Sequence, residues 1–353
     1  MNQSGIVKVL IVDDSAIVRK ILSEELSKDD QIKVVGTAPD PFIARDKILN
    51  LEPDVVILDI EMPKMDGLTF LKKIMKYNPL PVIIVSSISK SGSENALKAL
   101  SYGAVDVFGK PGGPYSVGDL KSELVNKVKS IGKSSFKYRY NENLNEKKYT
   151  PISASKLSQK TKKIIAIGAS TGGTEAIKDV IYRLPQNIPG IIIVQHMPEY
   201  FIKPYADRLN SDCNLNVKVA QHNDKITEGT VYVAPFGSHT IVKKNANDYF
   251  IELKDGPFVH HQKPSASVLF KSLAMSAGSE AIGVILTGMG KDGSTGLLEM
   301  KEAGSYNIAQ DEESCVIFGM PKEAINNGSI HKIAPLNTIA EEIVNILSIN
   351  ILT

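Results

Sequence analysis

The 353-residue chain has no tryptophan, only two cysteines (Cys213 and Cys315), and a net charge of +2 from 41 basic and 39 acidic residues. Two cysteines are too few for a disulfide framework or a thiolate metal site. A nearly balanced charge supplies no bulk field to draw the chain onto nucleic acid or a membrane. No apolar run approaches the roughly 18 residues of a membrane-spanning helix, and the start MNQSGIVKV has no signal-peptide core. These absences lead us to expect a cytoplasmic protein with no membrane insertion and no nucleic-acid partner. The hydrophobic fraction, 42%, is ordinary for a globular protein, and the length allows two domains with separate cores.

In the first third, the strand patterns VKVLIV, KVVGTA, DVVILD, PVIIVSS and AVDVFGK alternate with segments of helical periodicity such as SAIVRKILSEEL and GLTFLKKIMKY. Five consecutive βα units imply a doubly wound parallel sheet with helices on both faces. The pattern stops near Gly132, where a stretch rich in Lys, Asn, Ser and Tyr reads as a solvated linker, with a basic nucleic-acid arm as the competing reading. Alternation restarts at Lys163 and runs nearly to the end. It is broken by NVKVAQHNDKITEGTVYVAPFGSHTIVKKNANDYFIELKDGP, which is expected to add antiparallel hairpins to the sheet edge. The expectation is two α/β domains over residues 1–130 and 162–353, joined by a linker over 131–161.

In the first domain Asp13 and Asp14 end the first strand, Asp59 the third, Ser86 the fourth and Lys110 the fifth. Strand ends of a parallel sheet gather at one edge, so three carboxylates crowd one pocket, which calls for a cation. Mg²⁺ suits an all-oxygen site. Asp59 could then attack a phosphoryl donor while Lys110 and Ser86 hold the arriving oxygens. Taken singly, such aspartates also cap helices. The segments VLIVDDSAIVRK, LDIEMPKMDGLTFL, VSS and GKP together resemble a response-regulator receiver domain over about residues 5–128. The resemblance implies Asp59 as phosphoacceptor, Asp13, Asp14, Asp59 and the Glu61 carbonyl as Mg²⁺ ligands, and Ser86 and Lys110 as readers of the phosphoryl group. One position departs from the receiver pattern: the aromatic switch residue is replaced by Val107, with Phe108 beside it.

In the second domain three apolar runs each end in a reactive side chain: KKIIAIGA before Ser170, GIIIVQ before His196, and EAIGVILTGMGK before Asp292. Open α/β sheets bind ligands at this edge, and the set has the composition of nucleophile, base and orienter. GASTGG has the G-x-S-x-G spacing of a nucleophile elbow, and the following helix offers N–H groups to an oxyanion. The order Ser, His, Asp differs from the Ser, acid, His order of α/β-hydrolases. A dinucleotide loop is the rival reading, but Ser170 replaces its middle glycine and the second strand ends in Gln195-His196 rather than an acid. Asp292 taken alone could cap the helix GSTGLLEMKEAG, and main-chain N–H groups near Met289 could serve a developing oxyanion. His222, His239, His260, His261 and His331 lie in hairpin or loop segments without strand-end placement; His260 and His261 could contact substrate but read as surface residues.

GASTGG, QHMP, DGP with KPSASVLF, VILTGMGKDG and AQDEESCVIFGMPKEAI are similar, as a set, to the catalytic domain of chemotaxis protein-glutamate methylesterases of the CheB type, and the order receiver, linker, esterase is that family's. The resemblance implies Ser170 as nucleophile, His196 as base, Asp292 as its orienter and the Met289 N–H in the oxyanion hole. It implies demethylation of glutamate methyl esters on chemoreceptor cytoplasmic helices, deamidation of receptor glutamines, and no cofactor for the esterase chemistry. It also implies a histidine kinase as phosphodonor to Asp59, relieving a receiver that covers the active-site face. Ser267 and the APFGSH segment depart from the family pattern; neither is expected to touch the triad, so they bear on substrate fit and not on the chemistry. Two other functions compete: a hydrolase of the same fold acting on another ester or amide, and a regulator with a non-catalytic output, for which no helix-turn-helix or basic cluster is present.

Overall fold

The computed structural model describes residues 5–87, 89–110, 117–134, 151–157 and 163–349. Pro111, much of the expected linker and the last residues of the chain lie outside the described residues. The chain divides into two compact units, Met1–Lys147 and Lys148–Thr353.

The first unit runs β1 (Val7–Val12), α1 (Ala16–Leu26), β2 (Ile32–Ala38), α2 (Pro41–Leu51), β3 (Val55–Asp59), α3 (Gly67–Tyr77), β4 (Val82–Ser86), α4 (Lys90–Ser101), β5 (Asp106–Gly109) and α5 (Val117–Lys133). The strands pair in parallel in the order β2-β1-β3-β4-β5. β3 and β4 are buried at every residue, as expected for strands covered by helices on both faces. Helix starts are set by side chains that accept otherwise orphaned N–H groups: Ser15 for α1, Asp40 for α2, Asp66 for α3 and Ser89 for α4. The order reverses between β1 and β3, so Asp13, just after β1, and Asp59, at the end of β3, meet at the topological switch point.

The second unit runs β6 (Ile164–Ala169), α6 (Gly173–Arg183), β7 (Ile191–Gln195), α7 (Glu199–Asp212), β8 (Asn216–Val219), β9 (Thr230–Val233), β10 (His239–Asn245), β11 (Asp248–Lys254), α8 (Ala266–Ser276), β12 (Ala281–Ile285), α9 (Ser294–Glu302), β13 (Tyr306–Gln310), α10 (Met320–Asn326), β14 (Lys332–Ala334) and α11 (Leu336–Ile349). Its main sheet has the order β14-β13-β12-β6-β7-β9-β8, with all pairs parallel. β12, β6 and β7 are therefore neighbours, and all of their residues are buried.

The hairpin region differs in detail from the expectation. β8 and β9 join the main sheet as parallel strands, because residues 220–229 let the chain cross back before β9. Only β10 and β11 form an antiparallel hairpin, as a separate two-stranded sheet rather than an extension of the edge. That hairpin packs on α8, where the Val242 N–H donates to Ser272 Oγ at 2.9 Å. The described ends of the stretch 131–161 are also structured. α5 continues to Lys133. The Ile152 N–H donates to the Arg183 carbonyl at 2.8 Å, and Asn187 Nδ2 donates to the Ala154 and Leu157 carbonyls at 3.1 and 2.9 Å. Main-chain groups held this way need no aliphatic pattern, so composition did not signal them.

Candidate active site

The carboxylate oxygens of Asp13, Asp14 and Asp59 lie within 4.8 Å of one another. Lys110 Nζ reaches Asp59 Oδ2 at 2.7 Å and Asp13 Oδ2 at 3.2 Å. Burial pushes the Asp59 carboxyl up to about 6, with Asp13 adding like charge and Lys110 pulling the other way. Burial also raises Asp13 against the opposing pull of Lys110. Burial works against the Lys110 charge, but Asp59 and Asp13 outweigh it and raise its pKa. A buried Asp13 Oδ2 with no hydrogen bond beyond its ion pair with Lys110, beside two further carboxylates, fits a hard divalent cation such as Mg²⁺.

Ser86 is turned elsewhere, its Oγ donating to the Gly92 carbonyl of α4 at 3.3 Å. Val107 is buried, and the Phe108 ring lies under Lys127 Nζ of α5 at 4.7 Å, so Phe108 does not occupy the place of the missing aromatic. The raised Asp59 carboxyl has a consequence for stability. Protonated Asp59 suits the fold, so its contribution is fully present below the unfolded value and is lost as pH rises through about 6. Asp59→Asn should therefore stabilise the first unit by about 1–3 kcal/mol at pH 8 without metal, less at pH 4. Its unfolding transition in the full chain, followed with denaturant at both pH values, tests this; equal gains at both would refute it.

In the second unit Ala169 of β6 pairs with Gln195 of β7, so Ser170 and His196 each follow one step past that register pair. Ser170 is buried. Its N–H donates to the Thr287 carbonyl at 3.0 Å, and its carbonyl accepts from the Gly173 N–H at 2.7 Å and Gln195 Nε2 at 2.8 Å. The chain then turns at Gly172, whose φ of 76° suits glycine, into the N-terminus of α6. Gly288, just before Met289, must also lack a side chain, because a Cβ there would stand 2.8 Å from Ser170 Cβ. The Met289 loop thus lies directly against the serine.

His196 Nε2 lies 2.9 Å from Asp292 Oδ2. Asp292 is a meeting point of donors. Oδ2 also accepts from the Ala266 N–H at 2.7 Å, while Oδ1 accepts from Ser265 Oγ at 2.6 Å and from the Ser267 and Gly293 N–H groups at 3.0 Å each. Burial alone would raise this carboxyl, but the bonds from His196, Ser265 and Ser267 outweigh it and hold the pKa well below the usual carboxylate range. An ionised carboxylate only accepts, so Nε2 carries the imidazole proton and Nδ1 is the lone-pair nitrogen. His196 Nδ1 is buried with no hydrogen-bond partner among the described residues.

The helix-capping reading of Asp292 is thus partly right but for a different helix. Its carboxylate serves the first N–H groups of α8, whereas for α9 it reaches only the N–H of the N-cap residue Gly293, and no side chain caps that helix. Ser267 touches this site, contrary to the view that it bears only on substrate fit. Its N–H bonds Asp292, and its Oγ accepts from the Gly293 N–H at 2.7 Å. Ser265, Gln195 and Thr287 were not singled out from sequence; Ser265 alone left a signal, as a serine just before an apolar helical run. His260 and His261 form the tip of a tight turn, with His261 exposed.

The sequence profile of the family described as CheB methylesterase matches residues 165–343, and that of the response regulator receiver domain matches residues 9–119. Among curated proteins, a Syntrophus aciditrophicus protein-glutamate methylesterase/protein-glutamine glutaminase is 53% identical over 344 residues, covering 97% of this chain and 99% of the relative. An Anaeromyxobacter dehalogenans protein of the same description is 48% identical, covering 96% and 95% respectively. Among solved structures, the Thermotoga maritima CheB methylesterase catalytic domain aligns with a TM-score of 0.51 at 38% identity, covering 52% of this chain and 97% of that one.

Proposed function

The chain belongs to the CheB methylesterase family, and from that premise we propose that it is a phosphorylation-gated protein-glutamate methylesterase and protein-glutamine deamidase of chemotaxis. The observation that carries the catalytic assignment is the buried His196–Asp292 pair, which leaves Nδ1 as the basic nitrogen at the strand end beside Ser170. We assign the receiver domain to residues 1–130 and the catalytic domain to 162–353, joined through 131–161, with 151–157 resting on the catalytic unit.

Ser170 Oγ attacks the carbonyl carbon of a glutamate methyl ester, and His196 Nδ1 accepts its proton. The oxyanion that forms is met by the Met289 main-chain N–H and the α6 terminus. Collapse breaks the ester C–O bond, and the imidazolium returns its proton to the leaving oxygen, releasing methanol. Water, deprotonated by His196, then cleaves the acyl-enzyme to glutamate and regenerates Ser170. A glutamine side chain follows the same steps with ammonia as leaving group. Asp292 holds the imidazole orientation and stabilises its charge.

In the receiver domain Asp59 is the phosphoacceptor. Asp13, Asp14, Asp59 and the Glu61 carbonyl would hold Mg²⁺, which offsets their charge and that of the incoming phosphoryl group. Lys110 is already aimed at Asp59, whereas Ser86 must give up the Gly92 carbonyl to reach a phosphoryl oxygen, which ties α4 to the event. The substrate is the cytoplasmic helices of methyl-accepting chemoreceptors, and a chemotaxis histidine kinase is the phosphodonor, which places the enzyme in the cytoplasm. No described helix is long and apolar enough to cross a membrane.

The test is methanol release from methylated receptor membranes, with and without a small phosphodonor and Mg²⁺. Release should rise with the donor, and that rise should vanish in Asp59→Asn or on chelation of the metal. No release from folded protein under either condition would move the assignment to another ester or amide.

A further inference from the structure

We propose that His239 is a positioning residue of the esterase site, acting through Ser265 on Asp292. The proposal rests on the reading above that Asp292 orients His196. His239 opens β10, outside the main sheet, and is only 4% exposed. Both ring nitrogens are engaged: Nε2 lies 2.8 Å from the Pro257 carbonyl, and the Ser265 N–H points at Nδ1 across 3.3 Å. A carbonyl only accepts and an amide N–H only donates, so the ring is neutral, with its proton on Nε2 and its lone pair on Nδ1.

Ser265 is fully buried and begins the three-residue stretch that grips Asp292. Its hydroxyl donates to Asp292 Oδ1 at 2.6 Å, and the next two N–H groups, Ala266 and Ser267, donate to the same carboxylate. The Ser265 N–H itself does not bond Asp292 and is given instead to His239. Without an acceptor there, a buried donor would be left unpaired, and the backbone would relieve that cost by rotating. Rotation moves the three donors that set the carboxylate. His239 therefore pins the start of α8 so that Asp292 presents Oδ2 to His196 Nε2.

The rival role is local. His239 could simply anchor the Pro257 carbonyl and with it the loop 255–264, where Asp255 pairs with Lys263. The two ring nitrogens separate the two roles. In His239→Asn the amide oxygen can take the place of Nδ1 and accept from Ser265, but the side chain is too short for Pro257. In His239→Gln the longer amide can reach Pro257 but leaves nothing in the Nδ1 position.

The experiment measures methanol release from methylated receptor membranes by the donor-activated full chain, resolved into kcat and KM, with Ser170→Ala alongside. The expected result is kcat for His239→Asn within about threefold of the parent and a fall of about tenfold or more for His239→Gln, with KM unchanged in both; removing an outlying orienting partner commonly costs about 10- to 100-fold at metal sites. An active Gln variant with an impaired Asn variant, equal losses in both, or no loss in either would overturn the proposal. If the Gln variant fails to fold, a folded Asn variant decides alone, a fall in kcat beyond about tenfold being fatal. Parent-like release by Ser170→Ala would instead overturn the catalytic assignment on which the proposal stands.

Discussion

Ser170→Ala is expected to lower methanol release by about 10⁴-fold or more while leaving stability within about 0.5 kcal/mol of the parent. The activity loss follows from removing the atom proposed to form the acyl-enzyme; what remains is binding and oxyanion stabilisation of a direct attack by water. The small stability effect follows from the surroundings. Ser170 Oγ makes no hydrogen bond among the described residues, so its removal orphans no partner. Alanine keeps the Cβ that packs against Gly288, and the main-chain bonds to Thr287, Gly173 and Gln195 are untouched. Methanol release and thermal melting of the same preparation check both halves. Residual release above about one hundredth of the parent would remove Ser170 from the nucleophile's place.

Asp292→Asn should cost about 10³- to 10⁴-fold in kcat, by reversing the proton on His196. The amide nitrogen must stand at either carboxylate position. At the Oδ1 position it would face the Ser267 and Gly293 N–H groups, two donors that cannot turn. At the Oδ2 position it meets one fixed donor, the Ala266 N–H, and His196 Nε2, which can become an acceptor if the ring changes tautomer. The second placement is cheaper, and it moves the imidazole proton to Nδ1, the nitrogen that should receive the serine proton. The surroundings thus select the inactive arrangement. The donor facing Ala266 should also lower stability by about 1–3 kcal/mol. Nitrogen NMR of the His196 ring would reveal the exchange of protonated nitrogens. An unchanged tautomer with full activity would defeat the assignment of Asp292 as orienter.

Much of the site was legible in the chain because buried parallel strands write themselves as short runs of Ile and Val. The runs before Ser170 and His196 are neighbouring strands that end one residue short of them, so these two share an edge. β12 stops at Ile285, and Asp292 is brought to that edge by the loop before α9 rather than by the strand end. The same logic brought Asp13, Asp59 and Lys110 together, and the structure joins them through Lys110. Strand order was not legible, since β12 lies far along the chain from β6 and only packing makes them neighbours. The hairpin region misled for a related reason: its turn residues are local signals, whereas the parallel pairing of β8 with β9 and of β9 with β7 is a long-range choice.

By itself the sequence determined the α/β plan, the two domains, and the residue types delivered to each sheet edge, because periodicity and turn chemistry are local. Only the tertiary structure decided how Asp292 is held. Its donors come from residues 265–267 and 293, and the support behind them from His239, which opens the separate β10–β11 hairpin. A carboxylate stays charged in a buried site only when donors converge on it from several directions. Convergence of that kind belongs to the packed chain and has no spacing along the sequence.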